Sequence, residues 1–170
     1  KPIASSEKQL EELIELSRKN KKLLVESTFF NYHIQMKKII RIYRNDIHKK
    51  IYAKFIIPKP DKKSILMSKK LQGGVLMDMG PYISSIPRLF NLKKILKKRI
   101  RIIKNRDKLI TSIKFLLNFE EGDYDGNFKF GGEYKNEIKI TNKIKKNSIQ
   151  RAFSPPDNEN LIIKSKFKKT

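Results

Sequence analysis

The 170 residues include no cysteine, only two histidines and only three alanines. Without cysteine there is no disulfide and no thiolate metal site. His33 and His48 stand apart from each other, so a histidine-based metal centre is not expected. No apolar run approaches the ~20 residues of a membrane-spanning helix. No G-x-G-x-x-G loop occurs anywhere, so the residues that cradle a dinucleotide diphosphate are not in this sequence. No repeat or low-complexity tract stands out.

Acidic residues are also scarce, 17 against 40 basic ones, which leaves a formal net charge of +23. Such a charge suggests nucleic acid. The kind of base argues otherwise. Only 8 of the 40 are arginine, the residue suited to bidentate phosphate and base recognition. Isoleucine occurs 25 times and asparagine 12 times. High Lys, Ile and Asn with low Ala is the composition of an AT-rich coding sequence, so the charge reflects codon bias more than partners. Weak, salt-sensitive attraction to polyanions still follows from it. Length suffices for one ordinary domain with a core. The first residue is Lys rather than Met, and a piece of a longer, cytoplasmic chain is expected.

Taken in order, Ser6-Glu7-Lys8-Gln9 reads as a capping box for a helix to about Lys19. Leu10, Leu13, Ile14 and Ser17 mark its inner face, and Asn20 closes it. Lys22 to Thr28 is a short apolar run, read as a strand buried on both faces. A helix follows from about Ile34 to Tyr43, with Ile39, Ile40 and Tyr43 inward. Ile47–Ile57 reads as a strand that Pro58 and Pro60 end. Asp61 to Gln72 is a polar connection able to cover a site. The stretch Gly73–Phe90 reads as a helix in which Pro81 and Pro87 force a late start, a bend or a break.

Beyond Asn91 the sequence reads as successive strands: Ile95–Lys104, Leu109–Phe119, Asp125–Gly132, Glu133–Thr141, Lys143–Phe153 and Asn160–Phe167. Glu121-Gly122-Asp123 and Gly131-Gly132 are turn signals between them. An antiparallel meander with one buried face is expected. Ile100, Ile102, Phe115, Phe128 and Phe130 are candidates for an outer face that joins copies of the chain.

The stretch Gly73–Phe90 carries the chemistry. On an apolar helix, Asp78 and Tyr82 stand at i and i+4 and so share a face. Gly80 between them leaves room for close approach by a ligand or another backbone. A carboxylate and a phenol on such a helix are costly without partners. Backbone hydrogen bonds alone would satisfy them in a purely structural role.

The pattern G-G-x-L-x-D-x-G-x-Y resembles the signature helix of the Gfo/Idh/MocA oxidoreductases, related to glucose–fructose oxidoreductase and inositol dehydrogenase. Lys1-Pro2-Ile3-Ala4 is similar to that family's Glu-Lys-Pro motif without its glutamate. The resemblance covers Lys1 to Phe90, and more weakly the strand-rich remainder. It implies an α+β fold, a largely antiparallel open sheet with helices on one face. The last helix–strand unit of a Rossmann domain would precede it, with residues 1–29 ending the nucleotide-binding domain and 30–170 forming the substrate-binding and oligomerisation domain.

The resemblance also implies a function: NAD(P)-dependent hydride transfer at a carbinol of a sugar, sugar nucleotide or related polyol. NAD or NADP would be held mainly by a preceding domain, with Lys1 and Pro2 at its reactive end. Tyr82 would transfer the proton, Lys1 assist it electrostatically, and Asp78 orient the substrate or the lysine. Asn31, Tyr32 and His33 match the place of substrate-facing residues. The family's frequent Arg and Pro there are missing, and many members carry His in place of Tyr82. A homo-dimer or homo-tetramer formed through the sheet is implied, with no specific nucleic acid and no membrane. Two other readings are a basic α+β binding module for an acidic partner or nucleic acid, and a pseudo-enzyme that keeps the fold alone. For His33 a local hydrogen bond at a helix start is the structural alternative.

Overall fold

The computed structural model describes residues 2–156 and the backbone of 163–167. Helix α1 runs over Glu7–Lys19, where the Ser6 side chain accepts from the Gln9 N–H. Asn20 closes it, its side-chain Nδ2 donating to the Leu16 carbonyl at 2.8 Å. The expected inner row Leu10, Leu13, Ile14 and Ser17 is half-buried, and no residue of α1 is fully buried.

Lys22–Thr28 is not a strand. A strand buried on both faces needs neighbours on both sides, and none lies beside it among the described residues. Leu23 and Val25 are accordingly 91% and 63% exposed. A short 3-10 turn, Phe29–Tyr32, leads into α2, Ile34–Tyr43. Met36, Ile39 and Tyr43 are its buried row.

Strand β1, Lys49–Ile57, alternates buried and exposed residues. Helix α3, Val75–Leu89, contains both Pro81 and Pro87 and still runs unbroken for 15 residues, so of the late start, bend or break expected from the prolines, the helix neither waits for Pro81 nor breaks. Its buried residues, Val75, Met79, Tyr82 and Ile86 among them, recur at helical spacing and pin it to the sheet. Ser85 Oγ donates to the Pro81 carbonyl at 2.7 Å.

The remaining strands are β2 Ile95–Lys104, β3 Ile110–Phe119, β4 Gly122–Phe130, β5 Lys135–Thr141, β6 Lys145–Gln150 and β7 Ile163–Phe167. Residues 160–162 of the expected last strand lie outside the described residues. The turn before β4 is Glu120-Glu121, so Gly122 and Asp123 belong to the strand.

The seven strands of the described residues form one sheet in the order β2-β3-β4-β1-β5-β6-β7. It is not a plain meander. β1 is inserted between β4 and β5, parallel to the former and antiparallel to the latter. The connection from β4 to β5 must therefore pass over the end of β1. Gly131 and Gly132, at φ 86 and 147, supply the backbone angles for that crossing. The Gly131 N–H donates to the Ile57 carbonyl at 2.9 Å.

Register sorts the side chains. Ile51, Tyr124 and Leu117 lie in one row, and Phe55, Phe128 and Ile113 in another, all on the side covered by α2 and α3. Phe115, Phe128 and Phe130 are thus core, not an outer face. Ile100 and Ile102 stand opposite Phe115 and Ile113 on the same side. They remain exposed because β2 is an edge strand and α3 packs on β3 and β4. The open side carries Arg99, Lys114, Asp125, Tyr52 and Lys139 instead.

Candidate functional site

Asp78 stands in the first turn of α3, its N–H donating to the Gly74 carbonyl at 3.0 Å. A carboxylate is favoured there by the helix dipole. It lines a cleft of about 500 Å³ together with Pro2, Ile3, Gln9, Leu66 and Gly73. The cleft therefore lies between the N-terminal segment, the 3-10 turn Ile65–Met67 and the start of α3. Part of its wall is packed backbone on backbone: a Cβ at Gly73 would lie 2.4 Å from the Leu66 carbonyl oxygen. The N-terminal segment is anchored, with the Ile3 N–H donating to Glu26 Oε2 at 3.2 Å. The expected polar cover, Asp61 to Gln72, contributes Ile65, Leu66, Lys70, Leu71 and Gln72 to the lining.

Lys1 lies outside the described residues. Its neighbour Pro2 and Asp78 share the cleft, so the two sequence motifs, 76 positions apart in the chain, meet in space. Tyr82 stands one turn beyond Asp78, is 6% exposed and does not line this cleft. Its ring lies 5.4 Å from Phe30, 5.5 Å from Phe55 and 5.3 Å from Phe153, centroid to centroid. Edge and tilted contacts of this kind each add to plain burial. Three rings from three separate segments thus fix the phenol's plane. At Gly80, among the described residues, a Cβ would meet only Leu76 Cδ1 at 3.7 Å, so no backbone makes the close approach expected there.

Asn31, Tyr32 and His33 fall in and just after the 3-10 turn and do not line the Asp78 cleft. Asn31 Nδ2 donates to Thr28 Oγ1 at 2.9 Å, while its buried Oδ1 has no hydrogen-bond partner among the described residues. Tyr32 is 71% exposed. His33 caps α2, with Nδ1 accepting from the Gln35 N–H at 3.4 Å, the local role weighed for it above. Phe30 reaches Tyr82 from the same turn, so this segment touches the signature helix through its aromatic residue. Phe30, Phe55 and Phe153 carry no signal of such a role in the sequence, because apolar periodicity marks them only as core. Among the described residues no group of His, Asp or Glu could hold a metal ion.

No protein-family model matches the chain, and none of the curated proteins does. Solved structures match it well. A 3-ketoreductase from Actinomadura kijaniata, in complex with NADP and TDP-benzene, superimposes with a TM-score of 0.85 at 21% identity, over 100% of this chain and 54% of that one. An aldose-aldose oxidoreductase from Caulobacter crescentus gives 0.75 at 16% identity, over 92% and 48%. A UDP-N-acetylglucosamine 3-dehydrogenase from Acidithiobacillus ferrooxidans gives 0.70 at 11% identity, over 99% and 55%. The chain spans about half the length of these proteins. The chain thus shares its α+β fold with the matching half of these oxidoreductases, the fold class that the signature-helix resemblance implies.

Proposed function

We propose that this chain is the substrate-binding part of an NAD(P)-dependent oxidoreductase acting on a carbinol of a sugar, sugar nucleotide or related polyol. Residues 1–29 then close a nucleotide-binding domain and 30–170 form the substrate domain. The observation that carries the reading is the meeting of Pro2 with Asp78 in one cleft, one helical turn from Tyr82. The fold supports it. So does the ketoreductase from Actinomadura, which has been solved as both a lysine variant and a tyrosine variant.

The cleft fits the reactive end of a nicotinamide cofactor in one respect: its lining mixes the apolar Pro2, Ile3 and Met77 with the polar Gln9 and Asp78. The diphosphate cradle would come from a glycine-rich turn that this sequence lacks. A nicotinamide cofactor held there would supply hydride transfer at the carbinol carbon. The chain's own residues handle the proton and the geometry. Tyr82 takes the hydroxyl proton in oxidation and returns it in reduction, the Lys1 ammonium favours the phenolate, and Asp78 orients the hydroxyl or the lysine. The three rings around Tyr82 hold it in one orientation for the transfer.

The test is Tyr82→Phe in the full-length protein, assayed with NAD and NADP against UDP- and TDP-sugars, free aldoses and inositol. Turnover falls by roughly two to four orders of magnitude while the thermal melt is unchanged. Full turnover in Tyr82→Phe on a substrate the parent uses would overturn the proton-transfer role. Copies of the chain associate as a dimer or tetramer through the open side of the sheet, and a strict monomer by light scattering at micromolar concentration would count against that.

A further inference from the structure

A second cleft, of about 800 Å³, lies on the other side of the Ile65–Met67 turn from the Asp78 cleft. Its rim carries four cations, Lys59, Lys62, Lys104 and Arg106, against one carboxylate, Asp107. Met67 and Phe130 give it an apolar floor, and Asn105 and Thr111 add polar groups. Among the described residues none of the four cations has an ion-pair partner within 4.0 Å. Like charges gathered round a concave site repel one another and raise the local concentration of anions.

Both walls are internally braced. On one side, the β2–β3 hairpin closes with Asn105 N–H donating to the Leu109 carbonyl and Leu109 N–H to Asn105 Oδ1, each at 2.9 Å. Arg106 and Asp107 sit at its tip. On the other, Lys59 lies between Pro58 and Pro60, and Lys62 in a turn where Asp61 Oδ1 accepts from the Lys63 N–H at 2.7 Å. The charges are therefore presented from stiff loops, at lower ordering cost than from flexible ones.

We propose that this cleft binds a diphosphate group. Four cations less one carboxylate leave a surplus that suits a diphosphate ester of roughly three negative charges, where one phosphoryl group brings about two. The volume exceeds what the anion alone fills and lies in the range of small-molecule sites. The apolar floor would take the organic part if the diphosphate is esterified. The proposal does not depend on the oxidoreductase reading.

Titration calorimetry at 0.15 M salt with uridine diphosphate, inorganic pyrophosphate and an RNA oligonucleotide tests it. The protein is compared with Lys62→Gln/Arg106→Gln, and with Lys54→Gln/Arg99→Gln on the open side of the sheet, which removes the same charge. Diphosphate binding weakens on the order of tenfold or more in the cleft variant and less than about twofold in the control. Tighter binding of uridine diphosphate than of pyrophosphate identifies an esterified ligand, and equal binding identifies the free anion. Equal weakening in both variants, or binding only of the RNA, would overturn the site and leave general attraction to polyanions. Thermal melts of both variants establish that they fold.

Discussion

Tyr43 is fully buried, and its hydroxyl donates to Asn147 Oδ1 at 2.5 Å. Burial, and then the nearby Asp46 carboxylate, push its pKa from 10.0 up to about 12. The unfolded chain thus releases this proton near pH 10 and the folded one near 12. The phenol's contribution to stability is whole below pH 10 and declines as the pH rises to 12. Lys49 acts with the opposite sign. It is 1% exposed, donates to the Arg44 and Asp46 carbonyls, and burial lowers its pKa. Its cost to the fold is relieved as the pH climbs through the folded value. In Tyr43→Phe, the loss of stability between pH 10 and 12 should be shallower than in the parent, read from urea midpoints across that range. Gly126 faces Phe115 so closely that a Cβ would lie 2.1 Å from the ring. Gly126→Val should destabilise by about 1–3 kcal/mol through overpacking, measured by chemical denaturation. At the proposed site, Asp78→Asn should raise KM more than it lowers kcat. Lys1→Met should lower kcat and shift its pH profile.

Elements were legible to different degrees, and hydrogen exchange can expose the weakest of them. Residues 23–27 make no backbone hydrogen bond through their N–H groups among the described residues. Their amides should exchange within seconds in this chain. They should become protected in a protein that supplies neighbouring strands, and equal exchange in both would refute the placing of residues 22–28 in a nucleotide-binding sheet. Helix α2 was readable because Ile39, Ile40 and Tyr43 recur at helical spacing; Ile39 and Tyr43 are buried, Ile40 is only partly so, and Met36, which the reading passed over, completes the buried row. α3 was readable despite two prolines because its apolar row outweighs two lost hydrogen bonds; each proline removes one donor. The place of β1 was not readable, since alternation tells which side a residue faces and says nothing about which strand lies beside it. The same limit applies to the site. Helical spacing put Asp78 and Tyr82 on one helix, but the packing of Tyr82 among Phe30, Phe55 and Phe153 joins distant segments. The basic cleft likewise joins a loop after β1 to the β2–β3 hairpin.

For the whole molecule, the open side of the sheet sets acidic Asp123 and Asp125 in the centre and basic Arg99, Arg101 and Lys114 beside them. Association through that side should loosen between 0.05 and 0.5 M salt if opposite charges of two copies meet there, as light scattering would show. The place of β1 has a further consequence for how the chain is made. Lys49 pairs with Gly122 and Lys50 with Thr141, so the first strand of this sheet to leave the ribosome is flanked by two of the later ones. Until residue 141 has emerged, β1 offers a bare edge of alternating apolar and polar residues to any other chain nearby. Folding must wait for nearly the whole sequence, and a chain stopped before β5 should aggregate rather than form a smaller stable sheet. The order of synthesis and the order of strands run against each other, which makes this domain a late folder and a natural client for chaperones that shield nascent edges.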